Sequence, residues 1–319
     1  MAGRGNSKIA VLAAVAGNLA IAVTKFIAAA ITGSSAMISE GIHSIVDTGN
    51  GLLLLRGIKR AAAPPGRRHP FGHGKDLYFY SLVVAVSIFG IGGGMSLYEG
   101  IAHIRHVAPA AASSNPAVNY IVLALAFIIE GISFSVAYGQ FRKAKGMKSP
   151  WRFIKDCKDP SLFTVVLEDT AALIGLVLAF LGVFLGHVFH NPYLDGAASI
   201  AIGILLMGVA FLLATETKGL LIGEGADEDV LAEIRKIVEG DEDVERAGDI
   251  LTMYIGPDNL LVNLGVQFNR GTRDEDIHRS IRRIESAISK AHPECRRVYI
   301  EAESLPMPDP RLVSGDRSL

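Results

Sequence analysis

The sequence is short of cysteine, tryptophan and charge. Of 319 residues, two are cysteine and one is tryptophan; aromatics make up 7% and charged residues 20%, while 50% of the chain is hydrophobic. The cysteines, Cys157 and Cys295, lie far apart in polar segments, which excludes a disulfide framework and any CxxC metal site. So little charge, with a mean hydropathy of +0.35, excludes disorder and is too apolar for an ordinary soluble domain. The net charge of -1 is small only because two parts cancel. Residues 1–220 hold 18 Lys+Arg against 11 Asp+Glu, and the rest hold 13 against 21. A basic, apolar part followed by an acidic, polar one reads as a membrane domain over 1–220, a soluble domain over 221–306 and a flexible tail over 307–319. An acidic soluble domain argues against nucleic acid as a partner and leaves membrane lipids as one. Residues 1–7 are too short for a cleavable targeting segment.

About 20 apolar residues carry a helix across the hydrocarbon core. Six stretches qualify: Ile9–Thr32, Ser34–Ile58, Leu77–Ile104, Ala117–Phe141, Leu162–His187 and Tyr193–Thr215. The second is the weakest, since it holds Glu40, His43, Asp47 and Asn50; the fifth holds Glu168 and Asp169. Between the second and third lie Lys59, Arg60, Arg67, Arg68 and Lys75. Between the fourth and fifth lie Arg142, Lys143, Lys145, Lys148, Arg152, Lys155 and Lys158, while the other three connections hold one base, Arg105. Basic loops stay in the cytoplasm, so both termini are expected there.

After about Gly223 the periodicity changes. Asp227–Glu239 and Asp274–Ala291 repeat apolar residues at helical spacing. Asp249–Ile255, Leu260–Phe268 and Arg297–Ala302 read as strands, the first two joined by the turn signal Gly256-Pro-Asp-Asn259. The order helix, strand, strand, helix, strand predicts a small α+β domain.

Ionisable side chains inside a span cost roughly 2.5–3.5 kcal/mol each on insertion scales, which makes them the first functional candidates. His43 and Asp47 are four apart and share a helix face; Glu40 is nearly on it. An imidazole and a carboxylate so spaced can grip one divalent cation. Glu168 and Asp169 diverge by about 100° around their helix, so only one can point straight at the partner helix. Placed beside the second span they complete an N/O ligand set suited to zinc, and also to manganese, iron or cobalt. Four carboxylates with no buried Lys or Arg to match them need a cation or protons for neutrality. The loop His69-Pro-Phe-Gly-His73-Gly-Lys75 brackets a tight turn with two imidazoles. Metal binding and simple packing on the membrane domain are both open readings of it. It is not the HExxH protease motif, because a Pro follows the first His where the Glu is required. His103, His106, His187 and His190 at span ends, and His278 on the soluble helix, read as ordinary interfacial or surface residues.

These features resemble one family. Ser39-Glu-Gly-Ile-His43-Ser-Ile-Val-Asp47 in the second span, the loop from His69 to Lys75, Leu194-Asp195-Gly-Ala-Ala-Ser-Ile in the sixth and the helix-strand-strand-helix-strand tail are similar to the cation diffusion facilitators over nearly the whole chain. Val165-Val-Leu-Glu-Asp169-Thr-Ala-Ala is nearest the branch of mitochondrial ninth-type zinc transporters. The resemblance implies six transmembrane helices and a ferredoxin-like or metallochaperone-like cytoplasmic domain. It implies a homodimeric exporter of divalent metal, zinc first, working by exchange for protons, without a cofactor and in a bacterial inner membrane. His43, Asp47 and Asp169 match the intramembrane ligands, but the fourth, usually His, falls at Val165, a place that Glu168 or water is expected to fill. His69 and His73 match the loop site, whose acidic partner falls at Gly66. In the soluble domain Glu301, Glu303 and His278 match ligand positions, while Gly248 and Gly265 replace others, so a weakened regulatory site is expected. Two rivals remain: a non-transporting scaffold or sensor with the same fold, and a membrane metalloenzyme around His43, Asp47, His69 and His73.

Overall fold

The computed structural model describes residues 3–106 and 117–302, with side chains from residue 18 onward. Glu303 and the tail expected over 307–319 lie outside them. The chain divides into two units: Met1–Ala63 with Lys75–Gly219, and Pro64–Gly74 with Leu220–Leu319.

The first unit is a helical bundle. Its elements are α1 (Gly3–Thr32), α2 (Ser35–Ala61), α3 (Lys75–Ser87), a π-helical turn (Ile88–Gly93), α4 (Gly94–Arg105), α5 (Ala117–Lys145), α6 (Pro150–Asp156), α7 (Pro160–Val188) and α8 (Tyr193–Ile222). Among the described residues four runs are long and apolar enough to cross a membrane: Lys75–Arg105, Ala117–Lys145, Pro160–Val188 and Tyr193–Ile222. The α1 and α2 helices are as long, at 30 and 27 residues. The polar positions of α2 lower its hydropathy, and Glu40, His43 and Asn50 are turned into the bundle. A core of Val84, Ile88, Phe163, Leu176, Ile202 and Leu206 forms between the helices. Ile121, Val136, Ile204 and Phe211 face outward, as a lipid-facing surface requires.

The α1–α2 turn is tight because Gly33 adopts φ +71, a left-handed conformation open to glycine. Ser34 then caps α2, its hydroxyl accepting from Met37 N at 3.3 Å. Asp195 of α8 reinforces this end: its carboxylate accepts from Ser34 Oγ at 2.6 Å and from Ser35 N at 2.5 Å. A negative charge at the positive end of the helix dipole fixes where α2 enters the bundle. The helix α6, capped by Ser149, lies within the basic connection that hydropathy leaves as a loop.

The second unit orders α9 (Glu228–Glu239), β1 (Val244–Gly256), β2 (Asn259–Phe268), α10 (Asp274–Ala291) and β3 (Arg297–Ala302). Among the described residues its sheet has the order β1-β2-β3, with β1 antiparallel to β2 and β2 parallel to β3. Leu260, Val262, Leu264 and Val266 alternate inward along β2 and meet Ile234 and Val238 of α9 and Ile284 and Ile288 of α10. The strand β1 starts five residues before the expected Asp249, because its register shifts between Val244 and Arg246 and again between Ala247 and Ile250. Such irregularities break the period-two pattern by which a strand is read.

One boundary differs from the expected division at 220. The loop Pro64–Gly74, placed with the membrane domain from sequence, belongs to the second unit. The Arg297 guanidinium of β3 donates to the Pro70 carbonyl at 3.0 Å and lies over the Phe71 ring at 5.2 Å. The Gly74 backbone runs against Ile255 and Gly256 of β1, so close that a side chain there would collide with that backbone. The loop therefore packs on the sheet of the second unit.

Candidate metal site

Five acidic side chains, one imidazole and one ammonium converge inside the first unit. His43 of α2 is 1% exposed, and its Nε2 lies 3.3 Å from Asp47 Oδ2, one turn along the same helix. Neither ring nitrogen of His43 has a hydrogen-bond partner, and Asp47 Oδ1 is likewise buried and unsatisfied. Buried polar atoms are nearly always paired, so a cluster of orphaned lone pairs marks a place for a proton or a cation.

The fifth-span pair separates as helical geometry demands. Glu168 is buried, accepts from Asn50 Nδ2 of α2 at 2.7 Å, and its carboxyl makes a hydrogen-bond contact with that of Asp47. Two carboxyls in such contact require a shared proton or a cation between them. Asp169, one residue on, instead accepts from Ser133 Oγ of α5 at 3.2 Å. The structure thus brings His43, Asp47 and Glu168 together and turns Asp169 toward α5. Among the described residues no three His, Cys, Asp or Glu side chains already stand in ligating geometry.

Two members of the cluster escaped sequence reasoning. Lys25 of α1 is 0% exposed and donates to Glu40 Oε2 at 3.0 Å, Ser44 Oγ at 2.8 Å and Glu130 Oε1 of α5 at 3.1 Å. The expectation of buried carboxylates without a matching base is therefore corrected. Glu40 faces Lys25, not the His43–Asp47 pair, and Glu130 adds a fifth carboxylate. Lys25 and Glu130 were visible as lone charges within apolar stretches, the same signal that singled out Asp47. With five carboxyls against one ammonium, the cluster needs protons or a further cation to reach neutrality.

Elsewhere, the His69 and His73 rings lie side by side, with centroids 4.4 Å apart. His278 on α10 and Glu301 on β3 are exposed. Burial pushes the Cys295 thiol up to about 11 and raises that of Cys157 as well. Neither cysteine offers a thiolate at neutral pH. His103, His187 and His190 line one cavity of about 130 Å³ beside Asp195.

A bundle of apolar helices that shelters an imidazole, five carboxyls and one ammonium defines a helical membrane protein with a polar, ionisable interior. Its relatives make the assignment specific. The family description "cation efflux transmembrane domain" fits residues 11–222, and "cation efflux protein, cytoplasmic domain" fits residues 226–305. The chain belongs to the cation efflux family. It is 34% identical over 249 residues to the human "proton-coupled zinc antiporter SLC30A9, mitochondrial", a match covering 77% of this chain and 43% of that protein. It is 30% identical over 240 residues to "metal tolerance protein C4" of Arabidopsis thaliana, covering 74% and 51%. Identity to the "manganese efflux system protein MneP" of Bacillus subtilis is 24% over 283 residues, covering 86% and 89%. The chain thus spans about half or less of the length of the first two relatives. Membership in a cation efflux family sets aside the metalloenzyme alternative.

Proposed function

We propose that the protein is a divalent-metal exporter, with zinc as its cargo, that exchanges metal for protons by alternating access. The observation that carries this reading is the juxtaposition of His43, Asp47 and Glu168 on two helices, with both His43 nitrogens and Asp47 Oδ1 buried and lacking hydrogen-bond partners. One nitrogen and two carboxylates form a ligand set for zinc, with manganese, iron and cobalt as permitted alternatives. Metal requires the deprotonated ligands, so protons and metal compete for the same lone pairs. Proton entry from the far side would release the ion, and metal entry from the cytoplasm would release the protons. The proton-coupled zinc antiporter among the relatives supports both the cargo and the exchange; the manganese efflux protein keeps manganese in play.

In this reading α1 and α2 join the four apolar runs to give six spans, with α3 and α4 forming one. The chain is multi-pass in a bacterial inner membrane, both termini are cytoplasmic, and residues 221–306 pair two copies. The His69–His73 loop forms a cytoplasmic metal contact on the second unit. Reconstituted protein should move zinc to a trapped metal dye only when protons run down their gradient in the opposite direction, and Asp47→Ala should abolish the flux. Zinc binding without flux under any gradient would instead select the sensor or scaffold.

A further inference from the structure

Lys25 takes no part in the ligand set just proposed, yet it is fully enclosed, at 0% exposure. Its ammonium is cradled by three oxygens: Glu40 Oε2 at 3.0 Å, Ser44 Oγ at 2.8 Å and Glu130 Oε1 at 3.1 Å. Two carboxylates and a hydroxyl are hard oxygen donors, the set that suits magnesium, calcium and manganese rather than softer ions. One ammonium neutralises only one of the two carboxylates. The other oxygen of Glu40, Oε1, is fully buried and has no hydrogen-bond partner; it is pressed against Gly175 of α7, where a β-carbon would stand 2.6 Å from it. A buried, unpaired carboxylate oxygen beside a singly charged occupant describes a cradle with donor capacity to spare.

We propose that Glu40, Ser44 and Glu130 form a second divalent-cation site, and that Lys25 is a tethered cation which fills it and keeps a free ion out. The N···O distances exceed the roughly 2.0–2.6 Å of magnesium or calcium coordination, so a free ion draws the two flexible Glu arms inward by several tenths of an ångström. Glu40 Oε1 then gains the partner it lacks. The fixed ammonium restricts the bundle to one exchangeable metal and holds α1, α2 and α5 together without one. This holds whichever metal the His43–Asp47–Glu168 site carries.

Manganese binding to the full-length protein, purified in detergent, tests it by equilibrium dialysis with elemental analysis. Lys25→Met should bind one manganese equivalent per chain more than the wild type. Lys25→Arg should show no gain, and Lys25→Met combined with Glu130→Gln should lose it. The gain should persist in an Asp47→Ala background, which separates this site from the proposed transport site. Equal stoichiometry in Lys25→Met and wild type would overturn the proposal. Should Lys25→Met aggregate when purified without metal, recovery of monodisperse protein on adding manganese supports the proposal, because the ion then does the work of the ammonium. Aggregation with and without manganese overturns it.

Discussion

Glu168 and Asp169 are adjacent and chemically alike, yet they face different helices, and this sets what their loss should do. Glu168 meets Asp47 and Asn50 across the α2–α7 seam, whereas Asp169 meets Ser133 of α5. Glu168→Gln should therefore weaken zinc binding by more than the about 10–100-fold that losing a partner of a ligand costs, while Asp169→Asn should weaken it less. Isothermal titration of the two variants decides the order, and an equal or larger loss for Asp169→Asn would return Asp169 to the ligand set. His43→Asp replaces an imidazole with a hard oxygen donor and should shift selectivity in competitive flux assays from zinc toward manganese. In the second unit, Asp241 accepts two hydrogen bonds from Arg283, both at 2.9 Å, and one from Ser280 at 2.7 Å. The Arg283 hydrogen bonds hold the Asp241 carboxyl below its usual range. A folded value below the unfolded one adds stability above the unfolded pKa and loses it as the pH falls through the folded value. Asp241→Asn should lower the melting temperature of the chain from Gly223 onward by a few degrees at pH 7. The difference should vanish under acid conditions where the wild-type carboxyl is protonated.

At the scale of elements, two helices approach through glycines at sevenfold spacing. A β-carbon at Gly100 would stand 2.6 Å from Gly196 O and 2.8 Å from Ile200 N; one at Gly203 would stand 2.8 Å from Leu97 N and 2.9 Å from Gly93 O. Small residues let helix backbones meet closely in a bilayer, where apolar side chains gain nothing by leaving lipid. Gly203→Val should force α4 from α8, cost about 1–3 kcal/mol of overpacking, and lower the yield of monodisperse protein in size-exclusion chromatography. Gly208→Ala, with open space around it, should leave the yield unchanged. Four spans among the described residues, Lys75–Arg105, Ala117–Lys145, Pro160–Val188 and Tyr193–Ile222, were legible because each is a long apolar run. The short α6 was not, since its Arg and Lys mask the Ser-Pro start that caps it. The docking of Pro64–Gly74 on the second unit was not either: it rests on Arg297 meeting Pro70 and Phe71, more than 200 residues away in sequence, as the separation of 227 for the Arg297–Pro70 bond shows.

At the scale of the whole molecule, the uneven distribution of bases between the loops is the argument for orientation. The connection over 142–158 is basic, while the one over 106–116 carries no Lys or Arg. With Cys157 and Cys295 replaced by serine, an impermeant thiol reagent applied outside right-side-out vesicles should label a cysteine at Ser113 and spare one at Ser149. The reverse pattern would invert the topology and the direction of export with it.

What the sequence determined by itself was whatever depends on short-range pattern. Apolar length set the helices, period-two alternation set β2, the charge reversal near residue 220 set where one unit gives way to the other, and i, i+4 spacing put His43 and Asp47 on one face. These follow from helix and strand geometry and need no knowledge of neighbours. Only the tertiary structure decided which charges meet. Lys25 reaches Glu130 across 105 residues, and the pairing makes Glu40, which lies nearly on the face of His43 and Asp47, a partner of the ammonium. Which of Glu168 and Asp169 meets α2 was likewise a matter of how α7 is rotated against it. Helix rotation is set by packing against every neighbour at once, through glycines such as Gly175 that admit a side chain from the facing helix. No local pattern encodes that sum.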